Sequence, residues 1–331
     1  MSDNRSHPTN DGWPYAVHPS GWFQVAWSGD IPVGGVRPLT YFGLDLVAFR
    51  GQDDVVHILD AHCPHLGAHL GFGGTVAGCD IVCPFHGWHW SGEGANTEIP
   101  YSTTINRAQH LRVWPVREAD GLVLMWHHPG GDGPSWEPSG LASIVDGFTA
   151  GDFYPVHPLG SAIWEAVRVR PQMVLENIVD CAHFSCVHSA RSPSTIDSHT
   201  ADGPRFHVSH RFDSRQGVRL DITTDGLGLM IGVFANAGGV THVELQATTP
   251  VNGDRSDLRD SVWVRREDAS ADPSERTTRV IERQHTELGR DIPIWDHLVY
   301  RQRAPLVPEE ARPYRALRAW AAQFYEGALH G

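Results

Sequence analysis

Two short runs, Cys63-Pro64-His65 and Cys83-Pro84-Phe85-His86, stand seventeen residues apart in the first third of the chain. Two thiolates and two imidazoles can hold a [2Fe–2S] cluster, with both cysteines on one iron and both histidines on the other. The same donors could hold zinc. Gly67 and Gly87 follow the two pairs, so each segment can close into a tight loop. Four unrelated buried residues are hard to reconcile with this spacing.

A second set lies in the run from Asn177 to His188. Asn177, Asp180 and His183 are spaced three apart and would share one face of a helix. His188 lies five beyond His183, off the helical period. The helix must therefore widen or end there if both imidazoles are to meet one metal. Two histidines with one distant carboxylate make the facial triad of non-haem Fe(II) sites, which keep positions open for O2 and substrate. Taken alone, the pair reads equally well as two hydrogen-bonded core histidines.

The first two runs fit C-x-H-x17-C-x2-H and continue through Gly87-Trp88 into Trp90-Ser91-Gly92; here the chain resembles the Rieske family. The second set resembles the N-x2-D-x2-H-x4-H signature of Rieske oxygenases. High-potential members of the family carry a disulfide between the cluster loops, where this chain has Ala68 and Phe85. They also carry Ser and Tyr hydroxyl donors, at places that correspond to Trp88 and Trp90. Fewer donors near sulfur imply a lower potential, as in the oxygenase and ferredoxin type.

The resemblance implies roles residue by residue. Cys63, His65, Cys83 and His86 hold the [2Fe–2S] cluster. His183, His188 and Asp291 hold mononuclear Fe(2+), Asp291 because the family supplies this carboxylate from an Asp followed closely by Trp. Glu287 and Asp296 are the runners-up, and Asp291 before Ile-Pro also fits a helix N-cap. Asp180 is expected to orient a ligating imidazole and to relay electrons between neighbouring subunits of a head-to-tail homotrimer. Asn177 positions a water or supports its helix.

The runs Trp126-His127-His128-Pro129, Thr248–Asn252, Asp291–Trp295 and Arg318–Tyr325 are similar to those of 3-ketosteroid 9α-hydroxylase oxygenase components. Cholesterol 7-desaturases belong to the same broader group. The implied activity is that of a terminal monooxygenase component. It would hydroxylate an apolar, steroid-like substrate with O2 and electrons from a separate NAD(P)H-dependent reductase or ferredoxin. Cys181 and Cys186 stand where larger side chains are expected, and the chain is shorter between His188 and Asp291. O-demethylation, desaturation or oxidative cyclisation of another apolar metabolite is the alternative. A Rieske electron carrier, or a zinc-holding or lipid-binding module, is the alternative of another class.

The elements that must position these residues divide the 331-residue chain. Residues 1–13 read as a flexible tail, 14–135 as an antiparallel β domain with the cluster loops at its tip, and 136–331 as an α+β catalytic domain. Strands are expected at 22–27, 46–49, 55–59 and 122–126. Pro129–Pro138 reads as a linker. The second half predicts a helix over 172–188 and strands over 205–214, 218–223, 229–234, 241–249 and 260–266. It ends in an amphipathic helix over 309–326. With the resemblance, this is a helix-grip (START-like) fold around a cavity, expected to be apolar because runs such as Leu227–Phe234 dominate the catalytic sheet. A net charge of −13 excludes a nucleic-acid footprint. All 26 basic residues are Arg, which excludes lysine Schiff-base chemistry. No signal peptide or membrane-length run is evident, which suggests a cytoplasmic protein. Cys79, Cys181 and Cys186 read as small buried apolar residues.

Overall fold

Short β-branched and aromatic runs between Gly, Pro and Asp turns become strands, and the pleat then decides which face of each run is buried. The computed structural model describes residues 12–15, 18–145, 148–154, 156–188, 190–214, 217–266 and 273–325. Residues 1–11 of the expected tail, and Glu326 of the last helix, lie outside them. Trp13 is not loose: its ring packs edge-on against Tyr15, Tyr300 and Tyr325.

Among the described residues, the first half holds three antiparallel sheets. One pairs Gly21–Trp27 with Leu122–His127 and Val116–Ala119. A second runs Val36–Tyr41, Leu44–Arg50, Val56–Asp60, Val113–Trp114. The smallest runs Thr75–Ala77, Asp80–Val82, His89–Ser91, Asn96–Glu98 and carries the second cluster loop in its central hairpin.

The second half is built on a seven-stranded antiparallel sheet. Ser161–Val167 pairs with Arg255–Val264, and the order continues through Gly239–Asn252, Leu229–Asn236, Arg219–Asp225 and Arg205–Arg211 to Thr195–Asp202. The strands Ser161–Val167 and Thr195–Asp202 were not expected. Both are edge strands with mostly half-exposed or exposed residues, and Thr195–Asp202 carries few apolar ones. Five α-helices occur among the described residues: α1 (Leu141–Ile144), α2 (Pro171–Leu175), α3 (His183–Cys186), α4 (Glu275–Trp295) and α5 (Pro308–Ala321).

Alternation decides which side chains of the apolar run Leu227–Phe234 face which way. Leu229 and Ile231, with Val243, Leu245 and Ala247, pack on Trp22, Trp27, Leu122, Leu124 and Trp126 of the first half. Met230 and Phe234 face the opposite way, into the cluster formed by Leu175, Ile178 and α5. The central strands also present His242, Glu244, Gln246 and Asp260 to the α4 side, where His242 bonds Gln284 and Asp260 bonds His285 Nδ1 at 2.9 Å. That face is polar as well as apolar.

The expected linker is anchored. Trp136 accepts from Trp22 Nε1 through its carbonyl (2.9 Å) and donates its own Nε1–H to the buried Asp225 (2.8 Å). Arg259, 2 % exposed in its side chain, donates to the Gln24 carbonyl and the Tyr41 hydroxyl across the two halves. These ties fix the two halves against each other through groups that would be costly to leave buried and unpaired.

Candidate metal centres

The two cluster loops are shaped by backbone bonds, with no disulfide. Cys63 N–H donates to Ala68 and Gly67 N–H to Cys63, both at 2.9 Å. The second loop repeats this with Cys83 to Trp88 (2.9 Å) and Gly87 to Cys83 (3.0 Å). Gly67 and Gly87 have φ of 79° and 70°, left-handed values that favour glycine. The loops bring His65 and His86 within 4.7 Å, ring to ring, and bury Cys63 and Cys83 in one apolar cluster.

Nδ1 of His65 and Nδ1 of His86 are both buried without any hydrogen-bond partner. Two orphaned nitrogens cost about 1–3 kcal/mol each unless something binds them. Among the described residues, the group whose donor atoms all lie within 4.8 Å of one another is His183, His188 and Asp291. Two buried cysteines and two buried, unpartnered imidazole nitrogens are the donor types of a [2Fe–2S] centre with both cysteines on one iron and both histidines on the other. Burial pushes the Cys63 thiol up, while the His65 backbone N–H and the Trp90 indole pull it down.

The second centre is built by a broken helix. The continuous helix expected over 172–188 is not formed: α2 passes into a 3-10 turn over Glu176–Val179, and Asp180 is extended at φ −94°, ψ 91°. The Asp180 carboxylate takes the N–H groups of Ala182 (3.1 Å) and His183 (3.0 Å), competing with the helical pattern. A fresh turn, α3, then starts at His183 and ends at Cys186, so His188 lies just beyond it, as its off-period spacing requires.

His183 Nε2 and His188 Nε2 lie 2.6 Å apart, and each is 3.4 Å from an oxygen of Asp291. Two imidazole nitrogens aimed at one point beside a carboxylate are the donor set of a facial triad. Asp291 is 4 % exposed and sits inside α4, which starts at its Ser274 cap. An N-cap role at Asp291 is therefore overturned. Helix α4 itself was not expected, because Gly289 and Pro293 mask its period; Pro293 is tolerated near its end. Burial lowers His183, opposed by Asp291. Burial also pulls His188 down, but Asp291 and Glu287 outweigh it and leave its pKa above the ordinary value.

The other candidates take supporting places. Glu287 Oε2 lies 3.3 Å from His188 Nδ1, so it holds the far side of that ring and leaves Nε2 to the centre. Glu287, not Asp180, is thus the carboxylate behind an imidazole. Asp296 accepts from the Arg168 N–H at 2.9 Å, away from the triad. Asn177 Nδ2 comes within 3.5 Å of His183 Nε2. Its turn is braced by the paired contacts of Glu176 with Arg318, at 2.8 and 2.7 Å. Cys79 and Cys186 are exposed and Cys181 half-buried, which corrects the buried apolar role expected of them.

Two family profiles match: the Rieske [2Fe-2S] domain over residues 21–115, and the 3-Ketosteroid 9alpha-hydroxylase C-terminal domain over residues 125–325. The chain belongs to the Rieske oxygenases. It carries the Rieske [2Fe–2S] domain of this family and, in His183, His188 and Asp291, a donor set fit for mononuclear iron; it is an oxidoreductase that uses O2 and takes its electrons from a separate partner. A probable 3-ketosteroid-9-alpha-monooxygenase oxygenase component from Rhodococcus rhodochrous is 31 % identical over 336 residues, 95 % of this chain and 82 % of that one. Cholesterol 7-desaturase nvd of Drosophila melanogaster is 28 % identical over 341 residues, 93 % and 75 % of the two chains. In fold the oxygenase resembles dicamba monooxygenase bound to dicamba (TM-score 0.69, 16 % identity, 91 % and 96 % of the chains). It also resembles Pseudomonas putida CBB5 NdmA with caffeine (0.71, 16 %, 91 % and 89 %). No helix among the described residues is long and apolar enough to cross a membrane.

Proposed function

We propose that this oxygenase hydroxylates a steroid-like substrate: an apolar ring system with a polar end. The observation that carries the reading is the closure of His183, His188 and Asp291 on one point, within a segment that matches the steroid hydroxylase domain. In this reading Cys63, His65, Cys83 and His86 hold the cluster, and the triad holds the iron. When bound, these groups supply single electrons and O2 activation. The protein's own residues do the rest. Glu287 holds His188 in its ligating orientation, and Asn177 stands beside His183 where a water or ligand would sit.

Met230 and Phe234 offer apolar surface to the substrate, and the row beside them offers polar partners. Burial raises Asp260 to about 7 and pushes Glu244 well above its ordinary value, which favours a shared proton in this buried pair. A keto or hydroxyl group is a suitable partner for it.

Electron entry in this reading uses an NAD(P)H-dependent reductase or ferredoxin in the cytoplasm, and a homotrimer in which one chain's cluster faces the next chain's iron. Leu66, Phe72, Phe85 and Tyr101, all at least 60 % exposed around the cluster loops, support an apolar contact there. Asp180, half-buried and bound to the N–H of His183, is the relay in this arrangement.

The test is turnover of 3-ketosteroids by iron-loaded protein with a surrogate reductase and NADH, read by mass spectrometry. Product heavier by one oxygen, from protein with three irons per chain, is the expected result. Two irons per chain would point to a carrier and overturn the reading.

A further inference from the structure

Breaking the helix at Asp180 frees backbone groups that a continuous helix would pair. The Ile178 carbonyl would then accept from the Ala182 N–H, four residues on. That N–H goes instead to the Asp180 carboxylate at 3.1 Å. Ile178 is 2 % exposed, so its carbonyl needs another donor. His210 supplies it, with Nε2 2.8 Å from the Ile178 oxygen. A carbonyl only accepts, so Nε2 carries the hydrogen and Nδ1 of the neutral ring is left as an acceptor. The Ser194 hydroxyl donates to that Nδ1 at 2.9 Å, and the Ser194 N–H donates to the Cys181 carbonyl at 3.1 Å. Ser194 and His210, themselves bonded, thus hold the chain on both sides of Asp180. Burial lowers the His210 pKa against the pull of the Ile178 carbonyl, which favours the neutral ring. His210 is fully buried on the strand Arg205–Arg211, between Ile196 and Leu220 of the neighbouring strands. Its ring also packs edge-on against Phe184 at 5.2 Å, and Phe184 lies edge-on to His183 at 5.8 Å.

We propose that His210 is a positioning residue for the mononuclear centre: by donating to the Ile178 carbonyl it holds the broken turn that aims His183 at His188 and Asp291. The proposal rests on His183 being a metal ligand. Without the His210 donor, the buried carbonyl regains a partner when the Ala182 N–H leaves Asp180 and the helix runs on. His183 then turns away from the point it shares with His188 and Asp291.

The test compares full-length wild type with His210→Gln, whose amide N–H can reach the same carbonyl, and with His210→Met, of similar shape but without the N–H. Fe(II) is titrated into protein whose mononuclear site has been emptied by mild chelation, with the cluster absorbance as the control for folding. His210→Met should raise the Fe(II) dissociation constant about tenfold, the low edge for residues that orient metal ligands. His210→Gln should stay within about threefold of wild type, because the buried carbonyl keeps its donor. Wild-type affinity in both variants overturns the proposal. Equal losses in both also overturn it, because ring packing would then explain the effect. If His210→Met loses the cluster colour, His210→Gln alone decides, and a rise beyond about threefold in it overturns the proposal. Wild type that binds no Fe(II) would remove the triad itself and the proposal with it.

Discussion

Removing the Glu287 carboxylate should weaken mononuclear iron binding without touching the cluster. Glu287 Oε2 lies 3.3 Å from His188 Nδ1, and its side chain is 19 % exposed. A hydrogen bond to a charged acceptor contributes about 1.5–3 kcal/mol. The same oxygen also accepts from Arg290 at 2.6 Å, so the lower end applies. About 1.5 kcal/mol corresponds to roughly a tenfold rise in the Fe(II) dissociation constant for Glu287→Ala. That lies at the low edge of the roughly 10–100-fold range for residues that orient metal ligands. Glu287→Gln keeps an acceptor oxygen and should fall between wild type and Ala. The assay is Fe(II) titration of protein whose mononuclear site has been emptied by mild chelation while the cluster absorbance is intact. A dissociation constant for Glu287→Ala within twofold of wild type would refute the role given to Glu287, as would loss of the cluster colour.

Asp180→Asn keeps an oxygen to accept from Ala182 and His183, so both metals should stay bound while turnover stops; wild-type turnover would remove Asp180 from the electron path. Acid should destabilise the fold, because burial lowers His127 and His242 to about 4 each. Their folded values lie below the unfolded value of about 6.5. The stability they contribute is therefore complete above that pH and is lost as pH falls through about 4. Each contributes at most about 3 kcal/mol. Urea midpoints at pH 7 and pH 4.5 check this, and His127→Gln should flatten the decline.

Much of the chemistry could be read from the sequence alone, because metal ligands must be particular residue types on short stretches of chain. The Cys-His pairs and the offset of five between His183 and His188 are local, and local spacing survives folding. The main strands were legible for the same reason: β-branched runs between turn residues signal themselves within a few positions. Contacts made far along the chain were not legible from local spacing, and Asp291 was named only through the resemblance to a family. Asp291 reaches the two histidines from over a hundred residues away, and only α4, hidden in the sequence by Gly289 and Pro293, carries it there. Glu287 became the support of His188 through that same helix, while Asp180 turned to cap α3. The break at Asp180 was decided by a side chain outbidding the helical backbone for two N–H groups. Which face of Leu229–Phe234 meets the first half follows from sheet register. Register is a property of paired strands, so the tertiary structure alone decides it.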